Sequence, residues 1–154
     1  MSCLTVKELG EKYHDDIKKL IMPYEYRFFR YGLEFTFLFC YMNEEEDISE
    51  YSTYVRLTDS FLMLEKNFYC IVYEGTNTDQ AIKAVHNILN HFEKEHEDSE
   101  IYINAISIKE QKKPREDIIA HLFESLKRML SEHKSNVVVV IKRDEEEEIA
   151  EEEE

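Results

Sequence analysis

Val55-Arg56-Leu57-Thr58-Asp59-Ser60-Phe61-Leu62-Met63-Leu64-Glu65-Lys66-Asn67-Phe68-Tyr69-Cys70-Ile71-Val72-Tyr73 decides how the chain is put together. Two short apolar runs, near 60–64 and 68–73, flank the polar tripeptide Glu65-Lys66-Asn67. Two runs of strand length about so short a polar break predict an antiparallel β-hairpin. Its turn is expected to be the most exposed point of an otherwise apolar element. An Arg-x-x-Asp pair, Arg56 and Asp59, stands directly before the first strand.

Upstream, residues 33–42 are almost unbrokenly apolar and rich in aromatics, bounded by Gly32 and by Asn43 with four acids. That pattern predicts a central strand covered on both faces in its second half. Before it, Thr5-Val6-Lys7-Glu8 fits a capping box, and Leu9, Tyr13, Ile17 and Leu20 recur at helical spacing to about Ile21. Pro23 is expected to stop that helix or start a second short one over 24–31, closed by Gly32 at the C′ position. Asp47 can cap a short helix from Ile48 to about Val55.

Downstream, Asn77 or Thr78 can cap a helix whose face carries Ala81, Val85, Ile88, Leu89 and Phe92. Residues 101–108 read as a strand. Its apolar pattern skips a beat at Asn104-Ala105, as a bulge or a doubly covered strand would. After a polar loop over 109–114, the stripe Ile118, Ile119, Leu122, Leu126, Met129 and Leu130 marks an amphipathic helix. Asn136 turns the chain into a short β-branched strand over 137–141. The order is α-α-β-α-β-β-α-β-α-β. Helices alternating with strands cover a central sheet, so the fold class is α/β (α+β). Its βαββαβ part is a ferredoxin-like core with an added helix and strand.

The 154 residues suit one domain over 1–142, with an N-terminal helical part in 1–22 and an acidic tail over 143–154. Nine of the 34 acids lie between Asp144 and Glu154, leaving 25 against 19 Lys and Arg, a net of about −6 for the body. The tail is expected to be disordered or to fray as a helix, because like charges repel. Nucleic acid is not expected as a partner, since that binding rests on neutralising phosphates, although a local basic patch could still hold a small phosphorylated ligand. Cys40 and Cys70 lie in apolar runs and read as buried thiols, and the odd count of three cysteines gives no disulfide framework. Glu44-Glu45-Glu46-Asp47 reads as a solvated loop, and the six histidines show no ligand spacing, so no metal and no cofactor are expected. There is neither a signal peptide nor an apolar run of membrane-spanning length, which leads to the expectation of a cytoplasmic protein without a membrane partner.

Several of these segments together resemble GGDEF domains, the bacterial diguanylate cyclase family. Arg30-Tyr31-Gly32 before a buried strand is similar to the entry to that family's first strand. Arg56-Leu57-Thr58-Asp59, then residues 60–64, the turn and Phe68, resemble its signature hairpin. Ala81 in the following helix and Ile106-Ser107-Ile108 also fit, over roughly residues 24–141. The resemblance implies a nucleotidyl-cyclase palm: a mostly antiparallel sheet of about five strands with helices packed on it. Active members make cyclic di-GMP from GTP with acid-held metal ions and a glycine turn that approaches phosphate.

The chain departs from the family at each of those places. Glu65-Lys66-Asn67-Phe68 stands where the family has Gly-Gly-Asp/Glu-Glu-Phe, and Cys40, Tyr41 and Met42 stand where it places a metal-binding Asp. The segment between that strand and Arg56 is also much shorter, so the nucleobase contacts are expected to be missing. The resemblance therefore implies a degenerate member, a pseudoenzyme with no catalytic residues, acting in signalling or protein interaction.

The alternative is a cyclic di-GMP receptor. The family's inhibitory site is an Arg-x-x-Asp five residues before the turn, and Arg56 and Asp59 keep that spacing. Arg56 could grip phosphate or a guanine edge bidentately, and Asp59 could accept from guanine N–H groups. Arg27 and Arg30, three apart on one helix face, are candidate further contacts. The plainer reading of Arg56 and Asp59 is a pair that caps the chain's entry into the strand. A protein partner and a homodimer are both compatible with the family, although no heptad or exposed apolar stripe is legible.

Overall fold

The computed structural model describes residues 4–44, 48–75, 78–108, 118–141 and 147–150. Helix α1 spans Val6–Tyr31. It opens on the expected capping box: Thr5 Oγ1 accepts from the Glu8 N–H at 3.2 Å, and Glu8 Oε1 accepts from the Thr5 N–H at 3.0 Å. These bonds hold the Glu8 carboxyl below its ordinary pKa. The helix ends at Gly32, whose φ of 69° is a left-handed conformation that glycine adopts without a Cβ clash.

The expected break at Pro23 is corrected. Pro23 lies inside one continuous helix. The reason is the buried stripe Leu9, Tyr13, Ile17, Ile21, Tyr24 and Phe28, which runs through the proline at spacings of 4, 4, 4, 3 and 4. Both halves press on the same face of the sheet, and that burial outweighs a proline penalty of about 3 kcal/mol. Pro23 itself is exposed. Pro23→Ala is therefore expected to stabilise the fold, by about 1–3 kcal/mol in urea denaturation, because it restores a helical hydrogen bond without touching the core.

The strands are β1 (Phe35–Met42), β2 (Ser60–Glu65), β3 (Phe68–Glu74), β4 (Ile101–Ile108), β5 (Val138–Ile141) and β6 (Glu147–Ala150). Helices α2 (Thr78–Glu95) and α3 (Ile118–Ser131) complete the fold, and a 3-10 helix over Ser49–Tyr54 takes the place of the short helix expected there. The sheet order is β2-β3-β1-β4-β5-β6. The first four strands pair antiparallel throughout, which is the ferredoxin-like core. β5 joins β4 in parallel after the α3 crossover.

All eight residues of β1 are buried, as expected of its second half and true of its first as well. Alternation sends Phe35, Phe37, Phe39 and Tyr41 toward α1 and α3. Leu38, Cys40 and Met42 go toward α2 and the 3-10 helix. The same logic resolves the skipped beat in β4. Its register against β1 runs unbroken from Phe35 opposite Ile108 to Met42 opposite Ile101, so there is no bulge there. Asn104 simply faces α3, where its amide donates to the Leu122 carbonyl at 2.8 Å. The hairpin carries the irregularity instead: the β2–β3 register shifts between Met63 and Glu65.

Two expectations, about exposure and order, differ in part from the structure. The hairpin turn is exposed only in part: Lys66 is exposed, whereas Asn67 is not. Asn67 is buried, its carbonyl accepts from the Met42 N–H at 2.9 Å, and its amide donates to the Met42 carbonyl at 3.2 Å. The acidic tail is not irregular throughout. Glu147–Ala150 forms β6, antiparallel to β5, with Ile149 opposite Val139. An open sheet edge offers unpaired N–H and C=O groups, and these recruit even a glutamate-rich segment. β6 thus adds a sixth strand at the edge of the sheet of about five that was expected. Residues 109–114, Asn77 and Glu45-Glu46-Asp47 lie outside the described residues.

Candidate functional site

Arg56, Leu57, Thr58 and Asp59 form a tight turn, closed by the Asp59 N–H donating to the Arg56 carbonyl at 2.9 Å. The aspartate side chain folds back over it. Asp59 Oδ2 accepts from the Arg56 N–H at 2.9 Å and from Arg56 Nε at 3.0 Å, while Oδ1 accepts from Arg56 Nη2 at 3.1 Å. The guanidinium and carboxylate thus meet fork to fork, and this bonding raises the Arg56 pKa further above its already high ordinary value.

The pair also holds β3. Asp59 Oδ1 accepts from the Glu74 N–H at 2.9 Å, and Arg56 Nη2 donates to the Glu74 carbonyl. On its β1 side Glu74 pairs with Phe35. On its other side the ladder begins only at Ser60 opposite Val72, so the chain has already turned away. The Arg56 and Asp59 side chains continue the ladder in place of a β2 backbone.

Helix α1 reaches the same spot. Arg27 Nε donates to Glu74 Oε2 at 2.6 Å, and the Arg27 guanidinium lies 4.9 Å from the Tyr24 ring centre. Tyr24 Oη donates to the Thr58 carbonyl at 3.1 Å and shares a hydrogen bond with Ser60 Oγ. Burial, the largest influence, raises the Tyr24 pKa. The structure therefore brings together three of the four expected contacts, Arg27, Arg56 and Asp59, around Glu74. Arg30 is not among them: it is exposed in the last turn of α1, 5.9 Å from the Tyr31 ring centre.

Glu74 and Tyr24 escaped the sequence reading. The available signal was a lone acid closing the apolar run before Gly75. Electrostatically the cluster is balanced, with Arg27 and Arg56 against Asp59 and Glu74. The Asp59 side chain is 1% exposed and that of Arg56 58%. An anionic ligand meeting Arg56 would compete with a buried carboxylate already in place.

At the opposite end of β1, Cys40 and Met42 are fully buried and Tyr41 nearly so. Burial pushes the Cys40 thiol up to about 12. The one acid of the hairpin turn, Glu65, is held by α1: it accepts from Tyr13 Oη and lies 3.9 Å from Lys12 Nζ. Among the described residues, no group of three His, Cys, Asp or Glu side chains is close enough to hold a metal ion. The short β1–β2 connection packs on α2: Tyr51 Oη donates to Glu95 at 2.9 Å, and the Tyr54 ring stacks on His91 at 5.1 Å. No helix among the described residues is long and apolar enough to cross a membrane.

No family model and no curated protein matches the sequence. Solved structures match the fold. A microbial GGDEF domain, described for a novel mode of interaction with cyclic di-GMP, aligns at a TM-score of 0.60 and 12% identity, over 82% of this chain and 91% of its own. A DGC protein from Thermotoga maritima aligns at 0.53 and 18% identity, over 79% and 92%. At these identities the likeness is one of fold. The chain has the GGDEF-like, nucleotidyl-cyclase architecture that the hairpin and its flanking strands indicated.

Proposed function

We propose that this chain is a non-catalytic GGDEF-like module that works through protein contacts. The observation that carries the reading is the hairpin turn. In a cyclase of this fold, main chain at the turn must approach a triphosphate, which glycine permits. Here the turn is Lys66-Asn67, and Asn67 is buried and tied at both its carbonyl and its amide to Met42. The neighbouring end of β1 presents Cys40, Tyr41 and Met42 rather than a carboxylate that could hold a metal ion. Incubation with GTP and magnesium is expected to yield no cyclic dinucleotide and no linear precursor. Any such product overturns the reading.

An interaction role is supported by the outer side of α1. Met22, Tyr26 and Phe29 are 55%, 60% and 49% exposed at spacings of 4 and 3, with Leu33 beyond them. An apolar stripe of this kind on a helix is more than the scattered exposure every surface shows. It crosses Pro23, so a reading that broke the helix there could not see it.

The cyclic di-GMP receptor alternative meets the pairing already described, since Arg56 and Asp59 engage each other and the Glu74 backbone. Titration calorimetry with cyclic di-GMP is expected to give no binding heat. A saturable heat that disappears in Arg56→Ala would establish the receptor instead.

A further inference from the structure

β5 is an edge that the chain covers with its own tail. Residues 137–141 read Val-Val-Val-Val-Ile, five β-branched residues in succession and the strongest strand-forming run in the chain. One side of β5 is taken by β4. The other is taken by β6, whose sequence is Glu-Glu-Ile-Ala, with acids directly before and after it. Glu and Ala are depleted in strands, and the neighbouring like charges oppose a compact arrangement. By composition, β6 is a poor strand on a very good edge.

We propose that β6 is a displaceable cover that keeps the β5 edge of one molecule from pairing with the β5 edge of a second copy. The edge demonstrably accepts an antiparallel strand of four residues, from Val138 opposite Ala150 to Ile141 opposite Glu147. A second β5 entering the same slot antiparallel would form a two-fold symmetric contact and bring β-branched residues where β6 brings mostly Glu and Ala. The opposite edge of the sheet does not share this weakness, because β2 is shifted in register near Leu64 and its ends are bonded to α1 through Tyr13 and Tyr24.

The tail prevails by tethering rather than by strand quality. Five residues separate β5 from β6. So short a connection holds β6 near β5 at an effective concentration on the order of millimolar, well above that of a second molecule at ordinary protein concentrations. The nine acids between Asp144 and Glu154 add repulsion between two tails brought to one interface, over a range of about 8 Å at physiological salt. The charge and the strand thus act in the same direction, as charged flanks do beside an unavoidable apolar strand.

Ile149→Pro in the full chain tests this, because proline cannot continue the ladder. Sedimentation analysis is expected to show that the variant self-associates about tenfold or more strongly than the parent. In hydrogen exchange, the β5 amides bonded to β6 in the parent are expected to lose about tenfold or more of their protection in the monomeric variant. Adding Phe29→Lys disables an α1-mediated contact and is expected to leave the gain intact, which separates this proposal from the interaction role assigned to the α1 stripe. A variant that stays monomeric overturns the proposal, whether or not its β5 amides open. So does a self-association abolished by Phe29→Lys.

Discussion

Asp59→Ala loses about 2–4 kcal/mol of stability in urea denaturation, with no new ligand phenotype. The estimate follows from what the carboxylate holds. It accepts from the Arg56 and Glu74 backbone N–H groups and from two nitrogens of the Arg56 guanidinium. Removing it strands the Glu74 N–H at a buried strand end, and an unsatisfied buried donor costs about 1–3 kcal/mol before the charged bonds are counted. Arg56→Ala is milder, at about 1 kcal/mol, because Asp59 keeps both backbone donors and the guanidinium is largely solvated. The inequality is the diagnostic point. In a ligand-gripping pair, loss of the exposed arginine would dominate in a binding assay. In a structural pair, loss of the buried aspartate dominates in a denaturation assay. Equal stability losses would remove the structural account.

The second large effect lies in the core. Phe39→Ala is expected to cost about 3–5 kcal/mol, read as a lower urea midpoint with an unchanged slope. Phe39 is fully buried, with ring centres of Phe37, Phe68 and Phe123 at 5.4, 5.0 and 4.7 Å. These rings come from β1, β3 and α3, so truncation opens a cavity where three elements meet, and no single one of them can move in to fill it. A loss below about 1.5 kcal/mol would show that the site collapses freely.

Much of the fold was legible because its signals are local. The capping box at Thr5 and Glu8, the left-handed stop at Gly32, the two apolar runs of the hairpin and the stripes of α2 and α3 each declare themselves within a few residues. Pro23 misled for the converse reason. Its local preference is real, but a buried stripe running through it decides the outcome. The site was half legible. The spacing of Arg56 and Asp59 before the turn was visible, whereas Glu74, which joins them to Arg27, sits 15 residues beyond Asp59 and meets it only through the hairpin.

By itself, then, the sequence determined the element types, the antiparallel hairpin, the doubly buried central strand and the replacement of turn glycines by Glu65-Lys66-Asn67. Periodicity and turn chemistry act over a few residues and need no partner. Only the tertiary structure decided what Arg56 and Asp59 hold, that Asn67 is locked to Met42, and that a run of glutamates becomes β6. Each of these depends on a backbone group left without a partner at a strand end or sheet edge. Where such groups fall is set by how the strands are ordered, which no local stretch encodes.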